Sequence, residues 1–171
     1  MFDNRNTFCV GDDVIHWSYG LGKIIQLDEK ELAGHTDKYY VVQIYDLTLW
    51  VPISDSGDCP LRYLTPAREF RKLFTILSGL GEPLSSDRNE RKIQLTQQLK
   101  NGSLESICRV IRDLTSYKQT GKTNESDNSI LAHARKLLLN EWSVALSVPI
   151  QQAESDLKKL LEDNKALEKL S

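Results

Sequence analysis

The spacing of apolar residues along this chain changes once, near residue 65. From Phe8 to Tyr63 the apolar positions come in short runs broken by turn formers. Val14-Ile15-His16-Trp17 leads into Ser18-Tyr19-Gly20, Gly22-Lys23-Ile24-Ile25-Gln26-Leu27 follows, and Gly34-His35-Thr36-Asp37 predicts a second turn. Lys38 to Tyr45 is rich in β-branched and aromatic residues and Asp46-Leu47 predicts a third turn. Leu49-Trp50-Val51 then meets Pro52, which suits a strand end or a sheet edge. About five short strands in so short a stretch predict a small antiparallel barrel of the SH3 or Tudor kind, whose closure would hide most strand edges.

Beyond Thr65-Pro66 the period becomes helical. Thr65 is the expected cap and Pro66 the first helical residue, with Phe70, Leu73, Phe74 and Leu77 on one face and Gly79 and Gly81 ending the run. A second helix is expected from Ser85 or Ser86 with Ile93, Leu95 and Leu99 inward, closed by Asn101-Gly102. Ser103 opens a third, striped by Leu104, Ile107, Cys108, Ile111 and Leu114. A fourth spans about Ser126 to Leu146 with Ile130, Leu131, Ala134, Leu137, Leu138, Trp142 and Leu146 inward, and a last one begins at Pro149 with Leu157, Leu160, Leu161 and Leu167. The expected organisation is a barrel over residues 1–65 followed by a compact helical domain of about five helices over 66–171.

Gly20-Leu21-Gly22 raises the question of a phosphate loop. A dinucleotide loop needs G-x-G-x-x-G between a strand and a helix, so that the helix N-terminus faces the pyrophosphate. Here a strand follows and no third glycine comes. The pair reads as a tight hairpin needing positive φ or close backbone approach.

Composition narrows the function without naming it. The chain is 40% hydrophobic and 27% charged, ordinary for a globular protein. No run approaches the ~18 apolar residues of a membrane helix, and Met1-Phe2-Asp3-Asn4 lacks the start of a secretory signal, so a cytoplasmic protein is expected. Residues 1–65 hold 5 Lys+Arg against 10 Asp+Glu, residues 66–136 hold 13 against 8, and residues 137–171 hold 4 against 6. An acidic barrel and a basic helical stretch point to two surfaces with different partners. Cys9, Cys59 and Cys108 lack zinc-site spacing and read as small buried hydrophobes. His16, His35 and His133 are scattered, no Ser or Cys sits in a nucleophile motif, and Asp12-Asp13 reads as a turn before a strand. No enzyme, metal or cofactor is expected.

Taken together, Phe8-x-Val10-Gly11-Asp12-x-Val14-Ile15, Tyr19-Gly20-x-Gly22-x-Ile24, the Tyr39-Tyr40 strand, Val51-Pro52, Leu61-Arg62, Leu104-x-x-Ile107-x-x-Val110-Ile111-Arg112-Asp113-Leu114 and Leu131-Ala132-x-Ala134-Arg135-x-Leu137-Leu138 resemble the CarD/CdnL family of bacterial transcription regulators. The first part is also similar to the polymerase-interacting module of transcription-repair coupling factors. The resemblance implies a Tudor-like barrel that docks by strand addition on the lobe of the RNA polymerase β subunit. It further implies a helical domain lying against promoter DNA, without sequence specificity, at the upstream edge of the melted bubble. It implies a monomeric, non-enzymatic protein, brought to the nucleoid by RNA polymerase.

Carried over position by position, the resemblance places the polymerase contact at Lys30 and Trp50, with Val51 and Pro52 on the same strand. The family has basic side chains here; Lys30 keeps the charge between Glu29 and Glu31, while Trp50 reads either as an aromatic anchor or as barrel core. On the DNA side, the family's tryptophan wedge at the start of the second helix corresponds to Arg88, close to Arg91 and Lys92. The basic contact on the fourth helix falls at His133, beside Arg135 and Lys136. Arginine enters a narrow minor groove and neutralises phosphate but stacks less well than tryptophan, so phosphate binding without a strong wedge is expected. Asp87 and Glu90 dilute this patch, which also reads as a solvated helix start. Trp17 and Trp142 read as core, and Arg112 and Asp113 as a pair inside the helical domain. An adaptor acting through a protein partner, with little DNA contact, is the alternative reading.

Overall fold

Residues 8–54 and 56–170 are described by a computed structural model, without the side chains of Leu32, Leu167 and Glu168. The expectations resting on Met1-Phe2-Asp3-Asn4 and on the Leu167 side chain lie outside the described residues. The chain divides into two compact units, Met1–Leu64 and Thr65–Ser171, each with its own apolar core.

Among the described residues the first unit is a five-stranded antiparallel sheet: β1 (Asp13–His16), β2 (Gly20–Leu32), β3 (His35–Ile44), β4 (Leu47–Pro52) and β5 (Leu61–Tyr63), in the order β4-β3-β2-β1-β5. Its inner face buries Val14, Ile24, Tyr40, Val42, Ile44, Val51 and Leu61 around Phe8, whose ring meets Tyr40 edge-on. The glycine pair does both things its sequence allows. Gly20 takes φ +81° where β2 leaves the Trp17-Ser18-Tyr19 loop, and a Cβ on Gly22 would stand 2.6 Å from Ile44 Cγ1 and 2.8 Å from Val42 Cγ1. The β2–β3 hairpin is longer than its apolar pattern predicts. The turn is only Ala33-Gly34, both with positive φ, and His35, Thr36 and Asp37 belong to β3. Past Asp28 the pairing is held by polar cross-strand partners such as Lys38 and Glu29, 3.4 Å apart, which give no hydrophobic signal. Register slips once, between Ile24 and Gln26, leaving Ile25 unpaired and exposed on a bulge.

The second unit starts with a 3₁₀ turn (Ala67–Glu69) and continues as α1 (Phe70–Ser78), α2 (Arg88–Lys100), α3 (Leu104–Thr120), α4 (Glu125–Ala145) and α5 (Ile150–Glu168). Thr65 does not cap; its backbone N–H donates to Glu141 Oε1 at 2.8 Å. The cap of α2 is Asp87 rather than Ser85 or Ser86, and its carboxylate accepts from the Asn89 and Glu90 N–H groups, both at 2.9 Å. Ser103 caps α3 as expected, and α4 opens on a reciprocal capping box between Asn124 and Asp127. Ile93 is 57% exposed, because Arg91, Leu95 and Leu99 take the inward side of α2.

Candidate functional site

The sheet carries a cation–aromatic cluster on its outer face. Side chains directly opposite in a ladder share a face, so the pairs Asp28 with Tyr39, Lys30 with Asp37, Tyr39 with Pro52 and Val41 with Trp50 line one surface. There Lys30 Nζ lies 4.7 Å from the Trp50 ring centroid and 5.7 Å from that of Tyr39. The Trp50 indole N–H donates to Asp28 Oδ2 at 3.1 Å. Trp50 is therefore not barrel core; it is 46% exposed. Lys30 and Trp50, twenty positions apart in sequence, are brought into contact by the ladder register. Asp28 and Tyr39 are the members that sequence reading missed, and their alternation with Lys30 on paired strands was the available signal.

Beside this cluster β4 keeps one side open: among the described residues its only ladder partner is β3. This corrects the expectation that closure hides most edges. Backbone groups of successive strand residues point to opposite sides. Since the Ile53 N–H donates to Lys38 O at 2.8 Å, Leu47, Leu49 and Val51 also face β3, while Thr48, Trp50 and Pro52 face outward. Val51 is turned away from this edge, its side chain buried in the core and its backbone committed to β3. Pro52 is tolerated because the N–H it lacks would have pointed to the open edge.

In the helical unit the expected cations separate. Arg88 and Lys92 are exposed one turn apart on α2. Arg91 is fully buried, which removes it from the expected DNA-contact set. Its Nε and Nη2 bond to Asp127 Oδ1 and Oδ2 at 3.0 and 2.8 Å. Its Nη1 reaches Ser85 O at 2.8 Å and Tyr117 Oη at 3.3 Å, and the guanidinium lies 4.7 Å over the Tyr117 ring. Sequence spacing placed Arg91 among surface cations because nothing local marks a partner thirty-six residues away. Burial alone would raise the Asp127 carboxyl; the Arg91 hydrogen bonds, the Asn124 N–H and the Arg91 charge outweigh it and hold it below the ordinary aspartate value. On α4, His133 and Lys136 are exposed three residues apart and Arg135 is half-buried.

The remaining singled-out residues are structural. Trp142 is core, packed on Phe70 and Phe74, whereas Trp17 is only half-buried near the His16 ring. Arg112 Nε pairs with Asp113 Oδ1 at 2.7 Å, and Asp113 also accepts from the Glu82 N–H. Of the cysteines only Cys108 is buried, and burial pushes its thiol up; Cys59 is half-buried and Cys9 exposed. Among the described residues no group of three His, Cys, Asp or Glu is placed to hold a metal ion. Among the described residues no helix is long and apolar enough to cross a membrane.

Comparison with known proteins matches both units in chain order. Residues 8–63 match the CarD-like/TRCF RID domain, and residues 72–158, over half the chain, match the CarD C-terminal domain. The Bacillus subtilis (strain 168) protein titled "Putative transcription factor YdeB" is 26% identical over 151 residues, covering 86% of this chain and 98% of that protein. A Tudor-like sheet followed by this helical domain defines a transcription regulator associated with RNA polymerase, not a class of enzyme. The chain belongs to the CarD family.

Proposed function

We propose that the sheet docks on the RNA polymerase β subunit through the open edge of β4, with Lys30, Trp50 and Pro52 at the contact and Val51 setting the strand from inside. The helical unit then contacts promoter DNA at the upstream edge of the bubble through Arg88, Lys92, His133, Arg135 and Lys136, and stabilises the open complex. The match of residues 8–63 to a polymerase-interacting domain, on a sheet whose β4 has no ladder partner but β3 among the described residues, carries this reading. Strand addition at such an edge supplies main-chain hydrogen bonds, while nearby side chains select the partner. A factor that binds only the open state shifts the equilibrium by its differential affinity, and about 1.4 kcal/mol changes the open-to-closed ratio tenfold. On this reading the protein is a cytoplasmic monomer, held at the nucleoid by polymerase, and it performs no catalysis.

The test is binding of the chain to a fork-junction promoter with RNA polymerase present, over a range of salt. Direct phosphate contact gives an affinity that falls with log salt, with a slope set by the number of phosphates neutralised. A salt-insensitive complex would favour the adaptor reading, in which the chain acts through a protein partner. The burial of Arg91 supports that second reading, because it leaves Arg88 and Lys92 as the α2 cations beside Asp87 and Glu90.

A further inference from the structure

The family resemblance implies a basic contact on the sheet facing acidic groups of the polymerase. The surface here has different chemistry. Lys30 spreads its charge over two aromatic rings, Asp28 lies on the same face within hydrogen-bond reach of Trp50, and Glu29 and Glu31 flank Lys30 in sequence. What projects beside the edge is an indole held on two sides, its ring face against an ammonium and its N–H on a carboxylate. A fixed aromatic surface loses little side-chain entropy on binding, and such residues dominate interface energies. The edge itself is short. Thr48 and Trp50 are the residues of β4 whose N–H groups point outward, and Pro52 ends the row with a carbonyl alone.

We infer that this surface receives an extended segment of the polymerase that pairs with β4 up to Pro52 and sets an apolar, not an acidic, side chain against Trp50, with Asp28 as the positioning residue that fixes the indole. The inference rests on the proposed docking of the sheet on polymerase and names the chemistry of that contact. Apolar contact predicts an affinity set mainly by dissociation and only weakly dependent on salt.

The experiment measures association and dissociation of the full-length chain on purified core RNA polymerase at two salt concentrations, with variants at exposed positions. Trp50→Ala is expected to weaken binding about 30-fold, the size of an interface hot spot, through faster dissociation. Lys30→Gln, which takes the ammonium from one ring face, is expected to weaken binding about two- to fivefold, well short of the loss in Trp50→Ala, and the wild-type affinity to vary by less than about threefold with salt. Asp28→Ala should weaken binding severalfold, while Asp28→Asn, which keeps the acceptor for the indole N–H, should restore it. A steep salt dependence with a large loss in Lys30→Gln, or equal gains in both Asp28 variants, would overturn the inference while leaving docking on polymerase intact. Failure of the wild-type chain to bind polymerase at all would overturn both.

Discussion

Arg91 on α2 and Asp127 in the first turn of α4 form a two-pronged ion pair, at 3.0 and 2.8 Å, with both side chains almost wholly out of solvent. Removing one partner of such a pair strands a buried charge. Arg91→Ala is therefore expected to cost about 3–5 kcal/mol in urea unfolding, whereas the double replacement Arg91→Met with Asp127→Leu should recover most of the loss. It should fall short by about 1 kcal/mol, because Asp127 also completes the cap of α4.

The same pair fixes a pH dependence. Asp127 is held below the ordinary value of 3.8, so its contribution is fully present above that value and is lost as pH falls through its lowered folded-state value. Acid unfolding of Asp127→Asn should lack this part of the wild-type curve below about pH 4.

His16 also loses its contribution on acidification, but here the neutral form is the one that the fold favours. Nδ1 accepts the Ser18 and Tyr19 N–H groups at 3.1 and 3.3 Å, and burial lowers its pKa from 6.5. The unfolded chain takes up the proton first, so the neutral imidazole's contribution is complete above 6.5 and declines as pH falls below it. His16→Asn keeps an acceptor for the turn without titrating. The stability difference between wild type and this variant should be flat above about pH 7 and turn against the wild type on acidification.

At Gly22 the neighbours are Ile44, Val42 and the Gln43 carbonyl, with an added Cβ at 2.6, 2.8 and 3.0 Å. Gly22→Ala should destabilise the sheet unit by about 1–3 kcal/mol, read as a lowered urea midpoint with unchanged slope. A neutral effect would mean that β3 yields there.

These residues also show what the sequence could reveal. Spacing identified the strands, the helices and the role of the glycine pair, since each follows from local pattern. The polar far end of the β2–β3 hairpin was hidden, because cross-strand charges rather than apolar alternation hold it. Arg91 was misjudged for a related reason: three cations within five positions look like one surface, and only the distant Asp127 and Tyr117 draw one inside. Lys30 and Trp50 were legible through family resemblance, but their contact with each other and with Asp28 needed the ladder register.

Whether the helical cations stabilise the open promoter while the chain is held on polymerase is read from the lifetime of competitor-resistant promoter complexes at saturating full-length chain. Wild type should lengthen the lifetime, and Arg88→Ala with Lys92→Ala should lose most of the gain, about tenfold for 1.4 kcal/mol, while polymerase binding is unchanged. An unaltered lifetime with the wild-type chain bound to polymerase would contradict this stabilisation.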